Sequence, residues 1–301
     1  MAPSLSIIVT AQEARHTIVP CINSLLSQAA SDDLQIIIVD GSRDGTAELA
    51  ARQFPGLQLL QQSPPCSLPH LLGLGIKAAQ GDIIAVTEAH CVFPPGWFRA
   101  VVTAHRRYPG PVIGGAVEPG PELGWSDWAL YFADYGRFMQ PLTPGPASEM
   151  PGENVSFKRA ALEKAQSEGS DFVRDGFWKT FFCNMLRQTG HSLLAAPEVV
   201  VFYNRRLTAR QIVNRRLTHG RCYGGRRARQ VSLPRRTLIA LGGWLLPPLL
   251  AVRLWSNVWP KGRYRREFIL SLPISLAAII AWSAGEWWGN LLGIGNSCDH
   301  V

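Results

Sequence analysis

The stretch IIIVDGSRDGT, residues 36–46, decides how the first half of this chain is interpreted. It opens on four β-branched apolar residues, as expected of a strand buried on both faces of a sheet. The strand delivers Asp40 to its carboxyl end, and residues 41–45 have the composition of a tight turn into a helix. The Asp40 carboxylate could accept hydrogen bonds from a nucleobase or from ribose hydroxyls. An aspartate and a serine that cap the next helix would give the same pattern, so both interpretations stand.

Apolar runs alternate with helical patterns on both sides of this stretch. Strands are predicted at Leu5–Thr10, Leu34–Val39, Leu57–Leu60, Asp82–Thr87 and Pro111–Val117, with helices near Thr46–Gln53 and Leu68–Gln80. This alternation predicts an α/β fold with a doubly wound, mostly parallel sheet. Such sheets bind ligands at the carboxyl ends of their strands, where the loops carry the chemistry.

The charge of the chain is divided between two regions. Residues 199–266 contain sixteen Arg or Lys and no Asp or Glu, which leaves 14 basic residues against all 22 acidic ones elsewhere. Regions of opposite charge imply different partners. The basic stretch has few aromatic residues on which bases could stack, and it leads directly into apolar segments. We therefore expect an anionic partner that is not nucleic acid.

Two apolar segments follow the basic stretch. Leu238–Val252 is broken by Pro247 and Pro248 and is short for a membrane span, whereas Phe268–Gly285 has eighteen uncharged residues followed by Trp287 and Trp288. If both segments crossed the membrane, the basic loop between them would lie on the opposite side from the basic stretch that precedes them. Basic residues usually stay on one side, so this arrangement is in conflict with the charge pattern. An interfacial first segment followed by one span removes that conflict. A helical hairpin buried against the rest of the chain is the alternative.

The six cysteines are scattered, with no C-x-x-C pair. In a chain of this length the spacing argues against a disulfide framework and for a reducing compartment. The first residues lead straight into a strand, and we expect no signal peptide. The organisation predicted is a first domain at residues 1–203 and a membrane-associated helical region at residues 204–301.

Four blocks occur in one order over residues 4–200: SIIVTAQEARHTIVPCINSLLSQ, IIIVDGSRDGT, GLGIKAAQGDIIAVTEAHCVFPPGWF and GENVSFKRAAL. Together they resemble the family 2 glycosyltransferases. The resemblance implies the GT-A fold and transfer of a sugar from a nucleotide-diphosphate donor, usually with inversion and a divalent metal. It implies that Thr10, Glu13 and Asp40 line the nucleoside pocket, and we add Asp44 and Glu88 to the donor-binding set.

The third block departs from the family pattern. Where relatives carry D-x-D, this chain has Glu88, Ala89 and His90. A glutamate is a hard oxygen ligand and a histidine suits Mn²⁺ better than Mg²⁺, so Glu88 and His90 are predicted to hold Mn²⁺ or Mg²⁺. A hydrogen-bonded pair in a site that has lost its metal is the alternative.

The general base is less well marked. The E-D motif of the family aligns with Trp178 and Lys179, which cannot accept a proton from the acceptor hydroxyl as a carboxylate does. The nearest carboxylate is Asp175, predicted as the catalytic base; a loop aspartate that caps a helix near Phe177 is the alternative. An Arg-Asn pair of the family is replaced by Leu72 and Gly73, so the donor contact of that Arg is either absent or made by another residue.

Four further residues are candidates for acceptor or diphosphate binding. Glu153 and Asn154 lie in the fourth block, and Arg210 and Arg215 lie in the basic stretch, where guanidinium groups could clamp phosphate oxygens. The whole stretch could instead be an interfacial helix attracted to anionic lipid.

The sequence therefore predicts an inverting glycosyltransferase on the cytoplasmic face of the cytoplasmic membrane. Its expected partners are a nucleotide-diphosphate sugar, a lipid-linked or glycan acceptor and anionic membrane lipid. A catalytically degenerate glycosyltransferase-like partner in envelope polysaccharide assembly is the alternative, because the departures fall on metal, donor and base positions together.

Overall fold

A computed structural model describes residues 3–28, 34–121 and 123–300. By their contacts the described residues fall into two compact units. The first contains the chain up to Gly120 and then Phe138–Asn204; the second contains Pro121–Arg137 and the chain from Arg205. The division into domains after residue 203 stays a prediction.

The first unit is built on a mixed sheet. In chain order its strands are β1 (Leu5–Ala11), β2 (Leu34–Asp40), β3 (Gln58–Gln61), β4 (Ile83–Glu88), β5 (Cys91–Val92), β6 (Val112–Pro119), β7 (Gly145–Ala147), β8 (Val155–Lys158) and β9 (Leu193–Tyr203). Their order in the sheet is β3-β2-β1-β4-β8-β6-β9-β5, with β7 paired to β9. The predicted strands and the parallel pairing of β3, β2, β1 and β4 are confirmed. Strands β5, β7, β8 and β9 were not predicted, and β8 runs antiparallel between β4 and β6.

Helices cover the sheet and form the second unit. In chain order they are α1 (Ile18–Leu26), α2 (Thr46–Gln53), α3 (Leu68–Ala78), α4 (Trp97–Arg107), α5 (Trp125–Tyr135), α6 (Arg159–Ser167), α7 (Lys179–Gln188), α8 (Ala209–Ala228), α9 (Leu233–Leu241), α10 (Leu246–Val258) and α11 (Arg265–Leu292). Short 3₁₀ segments follow α9, α10 and α11 at Gly243–Leu245, Trp259–Lys261 and Ser297–His300.

The core of the first unit lies on both faces of the parallel strands. Every residue of β1 is buried, which explains why its sequence is nearly continuous in apolar residues. On one side of the sheet, beneath α3 and α7, lies a cluster of aromatic rings. Its members are Phe157, Phe172, Phe177 and Phe182. This packing holds the strand ends, and the loops that follow them, in a fixed arrangement.

In the second unit α8 and α11 run parallel and touch backbone to backbone. A Cβ added at Gly220 or Gly224 would collide with the backbone of α11 near Trp282 and Glu286. A Cβ added at Gly285 or Gly289 would collide with the backbone of α8. Each helix thus presents two glycines four residues apart, and this spacing puts them on one face of the helix. The pair cannot approach so closely with any larger residue there.

The two apolar segments of the sequence take different forms. Leu238–Val252 is divided between α9, a 3₁₀ turn and α10, whereas Phe268–Gly285 lies wholly within α11. Among the described helices α11 alone is long and apolar enough to cross a membrane by length and composition, and 39% of its most apolar window is buried in the fold.

The cysteine spacing argued against a disulfide framework, and the described residues contain one disulfide. Cys222 on α8 is bonded to Cys298 in the last 3₁₀ segment, with 5.0 Å between their Cα atoms. The two residues are 76 positions apart, and only the return of the chain along α11 brings them together. Cys21, Cys66, Cys91 and Cys183 are free thiols. The bond weakens the inference of a reducing compartment, which rested on the scattered spacing of all six cysteines.

The contact between α8 and α11 gives a test of stability. Gly289→Ala should lower the free energy of unfolding by about 1–3 kcal/mol, because the methyl group must push the two backbones apart. Alanine favours a helix over glycine by up to about 1 kcal/mol, so the loss cannot come from helix propensity. Urea unfolding followed by circular dichroism measures it. Gly56→Ala is the control, since nothing lies within 4 Å of a Cβ at that position; equal stability of the two variants would contradict the contact.

Candidate active site

The carboxyl ends of β1, β2 and β4 define one edge of the sheet. In the parallel register Thr10 lies opposite Glu88, and Ala11 lies opposite Asp40. The hydrogen bonding between the strands continues into the residues that follow them. The Gly41 amide donates to the Ala11 carbonyl at 3.0 Å, and the Ala89 amide donates to the Thr10 carbonyl at 2.8 Å. The polar residues that follow the three strands are therefore close neighbours.

Three side chains at this edge form a cluster suited to a cation. Potential ligand atoms of Glu88, His90 and Glu153 all lie within 4.8 Å of one another. His90 Nδ1 is 3.4 Å from a carboxylate oxygen of Glu88. Glu153 is 4% exposed and His90 7% exposed. Two carboxylates and an imidazole form a mixed oxygen and nitrogen set that suits Mn²⁺ better than Mg²⁺.

Two contacts hold His90 in place. The carbonyl of His90 accepts a hydrogen bond from the Asn204 amide at 3.0 Å, and the edge of the Tyr203 ring lies against the imidazole, with 4.9 Å between ring centroids. Both contacts come from the end of β9, which pairs with β5 immediately after His90. The side chain is therefore fixed by a strand far away in sequence.

Glu153 reaches the cluster because Asn154 anchors its backbone. Asn154 Oδ1 accepts from the Trp97 indole at 3.1 Å, and Nδ2 donates to the carbonyls of Ala116 at 2.8 Å and Val199 at 2.9 Å. The amide of Gly115 donates to the Asn154 carbonyl. Asn154 is 2% exposed. These bonds make Asn154 the residue that positions Glu153, while its contact with an acceptor or diphosphate stays a prediction.

Asp40 sits at the same edge in a turn. Its two carboxylate oxygens accept from the Ser42 hydroxyl at 2.7 Å and from the Ser42 amide at 3.2 Å, and the residue is fully buried. Burial raises the pKa of this carboxyl, although the bonds from Ser42 oppose the shift. Neither residue caps α2, whose N-cap is Gly45 and has no side-chain cap bond. The turn leaves Asp40 at the strand end where a nucleoside contact was predicted.

Glu13 and Asp44 tie the two neighbouring loops together. Glu13 accepts from the Arg43 amide at 3.0 Å, and Asp44 accepts from the Arg15 amide at 3.0 Å. Burial acts to raise the pKa of Asp44, but its hydrogen bonds with Thr46 and Arg15 outweigh burial and lower it. The Thr10 hydroxyl donates to the Thr87 carbonyl at 3.1 Å. These bonds fix the loops around the strand ends, and ligand contacts of the three residues stay predictions.

A sequence model described as Glycosyl transferase family 2 matches residues 6–165, more than half of the chain. The chain belongs to glycosyl transferase family 2. The resemblance inferred from the four sequence blocks is thereby confirmed, together with the expectation that the protein is a glycosyltransferase. Among curated proteins, none matches this sequence.

Two solved glycosyltransferase structures share the fold of this family member. The mannosyltransferase PcManGT from Pyrobaculum calidifontis, in complex with GDP-Man and Mn²⁺, is 18% identical; the match covers 96% of this chain and 88% of that one, with a TM-score of 0.58. GalNAc-T7, solved with UDP, GalNAc and Mn²⁺, is 15% identical; the match covers 68% of this chain and 44% of that one, with a TM-score of 0.52. Both likenesses show the GT-A fold that the sequence predicted.

Lys179 was not predicted from the sequence to contribute to the site. It begins α7, and its ammonium donates to the carbonyl of Met150 at 2.6 Å, three residues before Glu153. Burial lowers the pKa of Lys179, and the carboxylates of Glu153 and Glu88 are among the groups that oppose the shift. The ammonium therefore holds the segment that carries Glu153 and lies within electrostatic range of the cluster.

Asp175 is not one of the three residues of the cluster. It is exposed, and its carboxylate forms a bidentate ion pair with Arg174: Nε donates to Oδ1 at 3.0 Å and Nη2 donates to Oδ2 at 2.9 Å. It does not cap α7 with its side chain, since the residue at the cap is Trp178 and no side-chain cap bond is made there. Its role as the base stays a prediction. So do the roles of Arg210, exposed in the first turn of α8, and Arg215, half-buried on the same helix.

The cluster predicts how the protein binds a metal. Glu153→Gln should weaken Mn²⁺ binding at least about tenfold, because an amide oxygen replaces one of two charged ligands. Isothermal titration with Mn²⁺ in the absence of nucleotide measures this. Glu163→Gln, on the exposed surface of α6, is the matched control and should bind Mn²⁺ like the unchanged protein. Equal affinity of both variants would exclude Glu153 as a ligand.

Proposed function

We propose that this family 2 glycosyltransferase transfers a sugar, with inversion, from a nucleotide-diphosphate sugar to a lipid-linked or glycan acceptor at the cytoplasmic membrane face. The observation that supports it most directly is the cluster of Glu88, His90 and Glu153 at the carboxyl edge of the parallel strands. Decay of an unused site would seldom keep three metal-competent side chains within reach of one point, so this geometry favours the enzyme over the degenerate alternative.

The cluster suits the diphosphate of the donor. Glu88, His90 and Glu153 would hold Mn²⁺ or Mg²⁺, and the two similar structures named above are both described with Mn²⁺. When bound, such a cation neutralises charge that builds on the departing nucleoside diphosphate. The low exposure of His90 and Glu153 strengthens this effect because it keeps bulk water away from the charges.

The neighbouring loops suit the nucleoside. Asp40 is held at the end of β2, one strand away from Thr10 and two strands away from Glu88. We assign the base or ribose to the loops that contain Glu13, Asp40 and Asp44, because hydrogen bonds between these loops hold them in place before a ligand binds.

The proposal of a lipid-linked or glycan acceptor at a membrane rests on charge and exposed apolar residues, and not on the Glu88, His90 and Glu153 cluster. Residues 199–266 carry sixteen basic residues and no acidic one, and large apolar side chains are exposed on the helices that follow. Arg210 and Arg215 are proposed to meet an acceptor phosphate or anionic lipid, and Asp175 is proposed as the base that takes the acceptor proton.

A panel of nucleoside diphosphates tests the donor class. GDP, UDP and ADP are added to the purified full chain with and without Mn²⁺, and the midpoint of thermal unfolding is recorded. One of them should raise the midpoint, and only with Mn²⁺, because a ligand that binds the native state stabilises it. Glu88→Gln should abolish the shift, whereas Glu163→Gln should keep it. Absence of any shift would contradict donor binding. Binding without sugar release from the matching nucleotide sugar would favour the degenerate alternative.

Lys179 gives a second test of the same site. Its ammonium repels a cation but attracts a diphosphate, so we propose that it shares the neutralisation of the donor with the metal. Lys179→Met should therefore raise KM for the nucleotide sugar about tenfold or more while Mn²⁺ alone binds no more weakly. Lys179→Arg keeps the charge and is the matched control, with a smaller change in KM. Equal loss of Mn²⁺ binding and donor binding in Lys179→Met would show that the residue acts only through the Glu153 segment.

A further inference from the structure

The second unit exposes a large apolar surface. Its members, here called the apolar face, come from α9 to α11: Leu238, Leu241, Trp244, Leu245, Leu249, Val252, Trp255, Ile269, Leu270, Leu276, Ile280, Trp287, Trp288, Leu291 and Leu292. Trp244 is 74% exposed and Leu241 70% exposed. Outside this face, Leu26 and Trp125 are the large hydrophobic residues exposed in the described chain. Soluble proteins seldom leave so many large apolar side chains together in water.

The segments that carry the apolar face lie side by side. At one end Arg236, on α9, donates to the carbonyls of Asn290 and Leu291, and the Trp287 indole donates to the Ala240 carbonyl at 3.0 Å. At the other end the rings of Trp255 and Trp259 contact Phe268 near the start of α11. The chain from α9 through α10 therefore runs antiparallel to α11 along its length, and members of the apolar face lie next to both contacts: Leu241 and Trp287 at one end, Trp255 and Ile269 at the other.

Helix α11 is apolar on the outside and polar or small on the inside. Ile269, Leu276, Ile280, Trp287 and Leu291 recur at intervals of seven and four, so they lie on one face, and all are exposed. The opposite face is buried and consists largely of small or polar residues, among them Ser271, Ser275, Ser283, Gly285, Glu286, Gly289 and Asn290. A helix in a water-soluble protein shows the reverse distribution.

Charged groups line the buried side of α11. Glu286 is 4% exposed and forms an ion pair with Arg227 of α8 at 2.6 Å. Arg216 of α8 lies over the ring of Trp282 and pairs with Asp134 of α5. Because α8 is parallel to α11 and fixed to it by the glycine contact, a membrane-crossing α11 would carry Arg216 and its partner Asp134 to hydrocarbon depth, with Glu286 and Arg227 at the edge of the span. Charged side chains at that depth are costly.

Arginine side chains lie over tryptophan rings at the apolar face and beside it. Arg221 lies over the ring of Trp288, with 5.1 Å to its centroid, and Arg265 lies over Trp259 at 4.8 Å. Arginine and tryptophan are the residues that anchor a protein at the boundary between lipid headgroups and acyl chains. The excess of positive charge complements an anionic leaflet.

We propose that α9, α10 and α11 form a monotopic anchor that lies in one leaflet of an anionic membrane, with the apolar face among the acyl chains, and that α11 does not cross. This refines the membrane attachment in the proposed function, and it replaces the single span expected from the sequence. The tests below use no sugar donor, so they can fail while transferase activity stands, and they can succeed in a protein without activity.

The two ends of α11 distinguish the arrangements. Arg266→Cys and Asn296→Cys place a thiol at each end, in full-length protein that also carries Cys66→Ser because Cys66 is the one free cysteine that is not fully buried. A membrane-impermeant maleimide is applied to sealed membrane vesicles, and labelling after detergent defines complete reaction. Both thiols should behave alike, either labelled together or protected together. Labelling of one end and protection of the other would overturn the proposal, since only a crossing helix separates its ends.

Vesicle flotation tests the face itself. The chain should float with vesicles of phosphatidylcholine containing about a quarter phosphatidylglycerol, and more weakly with phosphatidylcholine alone. Leu241→Gln combined with Leu249→Gln should weaken flotation at least roughly tenfold, because two exposed apolar side chains no longer enter the acyl chains. Leu26→Gln, an exposed leucine of the first unit, is the matched control. Undiminished flotation of the double variant, or flotation that ignores lipid charge, would overturn the assignment.

Discussion

The candidate active site depends on the register of three parallel strands. β1 pairs with β2 on one side and with β4 on the other, and the pairing sets Ala11 against Asp40 and Thr10 against Glu88. A slip of β4 by one residue would turn Glu88 to the other face of the sheet and bring Ala89 into its place. Because the first five residues of β4 are buried against the neighbouring strands and helices, such a slip would also displace apolar side chains of the core. The same hydrophobic pattern that folds the first unit therefore aligns its polar residues.

Much of the first unit could be predicted from the sequence, since its signals are local. Apolar runs marked β1, β2 and β4, and the order of the four blocks indicated the family and the site edge. Glu88 and His90 were predicted as ligands because they occupy the D-x-D position. Glu153 was predicted only as an acceptor or diphosphate residue. Its place beside the other two arises from β8, which inserts antiparallel between β4 and β6 and brings a segment about sixty residues away to the cluster.

What escaped prediction depends on contacts between distant segments. The glycines of α8 and α11 are unremarkable in either segment alone, and they acquire meaning only when the two helices lie in contact. Cys222 and Cys298 likewise have no local signature. Hydropathy identified α11 as apolar, but an average over a window cannot show which face is buried. It therefore could not show that the small and polar residues of α11 point inward and the large apolar ones outward.

The candidate active site contains charged side chains of both signs. Glu88 and Glu153 are the carboxylates proposed to bind a cation, and Lys179 stands where the sequence comparison placed a carboxylate pair of the family. A lysine at this position cannot serve as the carboxylate base of its relatives, but it can attract phosphate. Two departures from the family pattern, at Glu88-Ala89-His90 and at Lys179, thus lie within electrostatic range of one another, which is why we propose a metal-binding cluster and a phosphate-attracting charge there.

The bond between Cys222 and Cys298 closes the end of the chain into a covalent ring. The 76-residue separation of the two cysteines encloses α9, α10 and α11, so every segment of the apolar face lies inside the ring. A protease that cuts one exposed loop within it would open the backbone without releasing a fragment, since both halves stay joined through sulfur. The last residues of the chain are thereby tied to the basic helix even when the connection between them is broken.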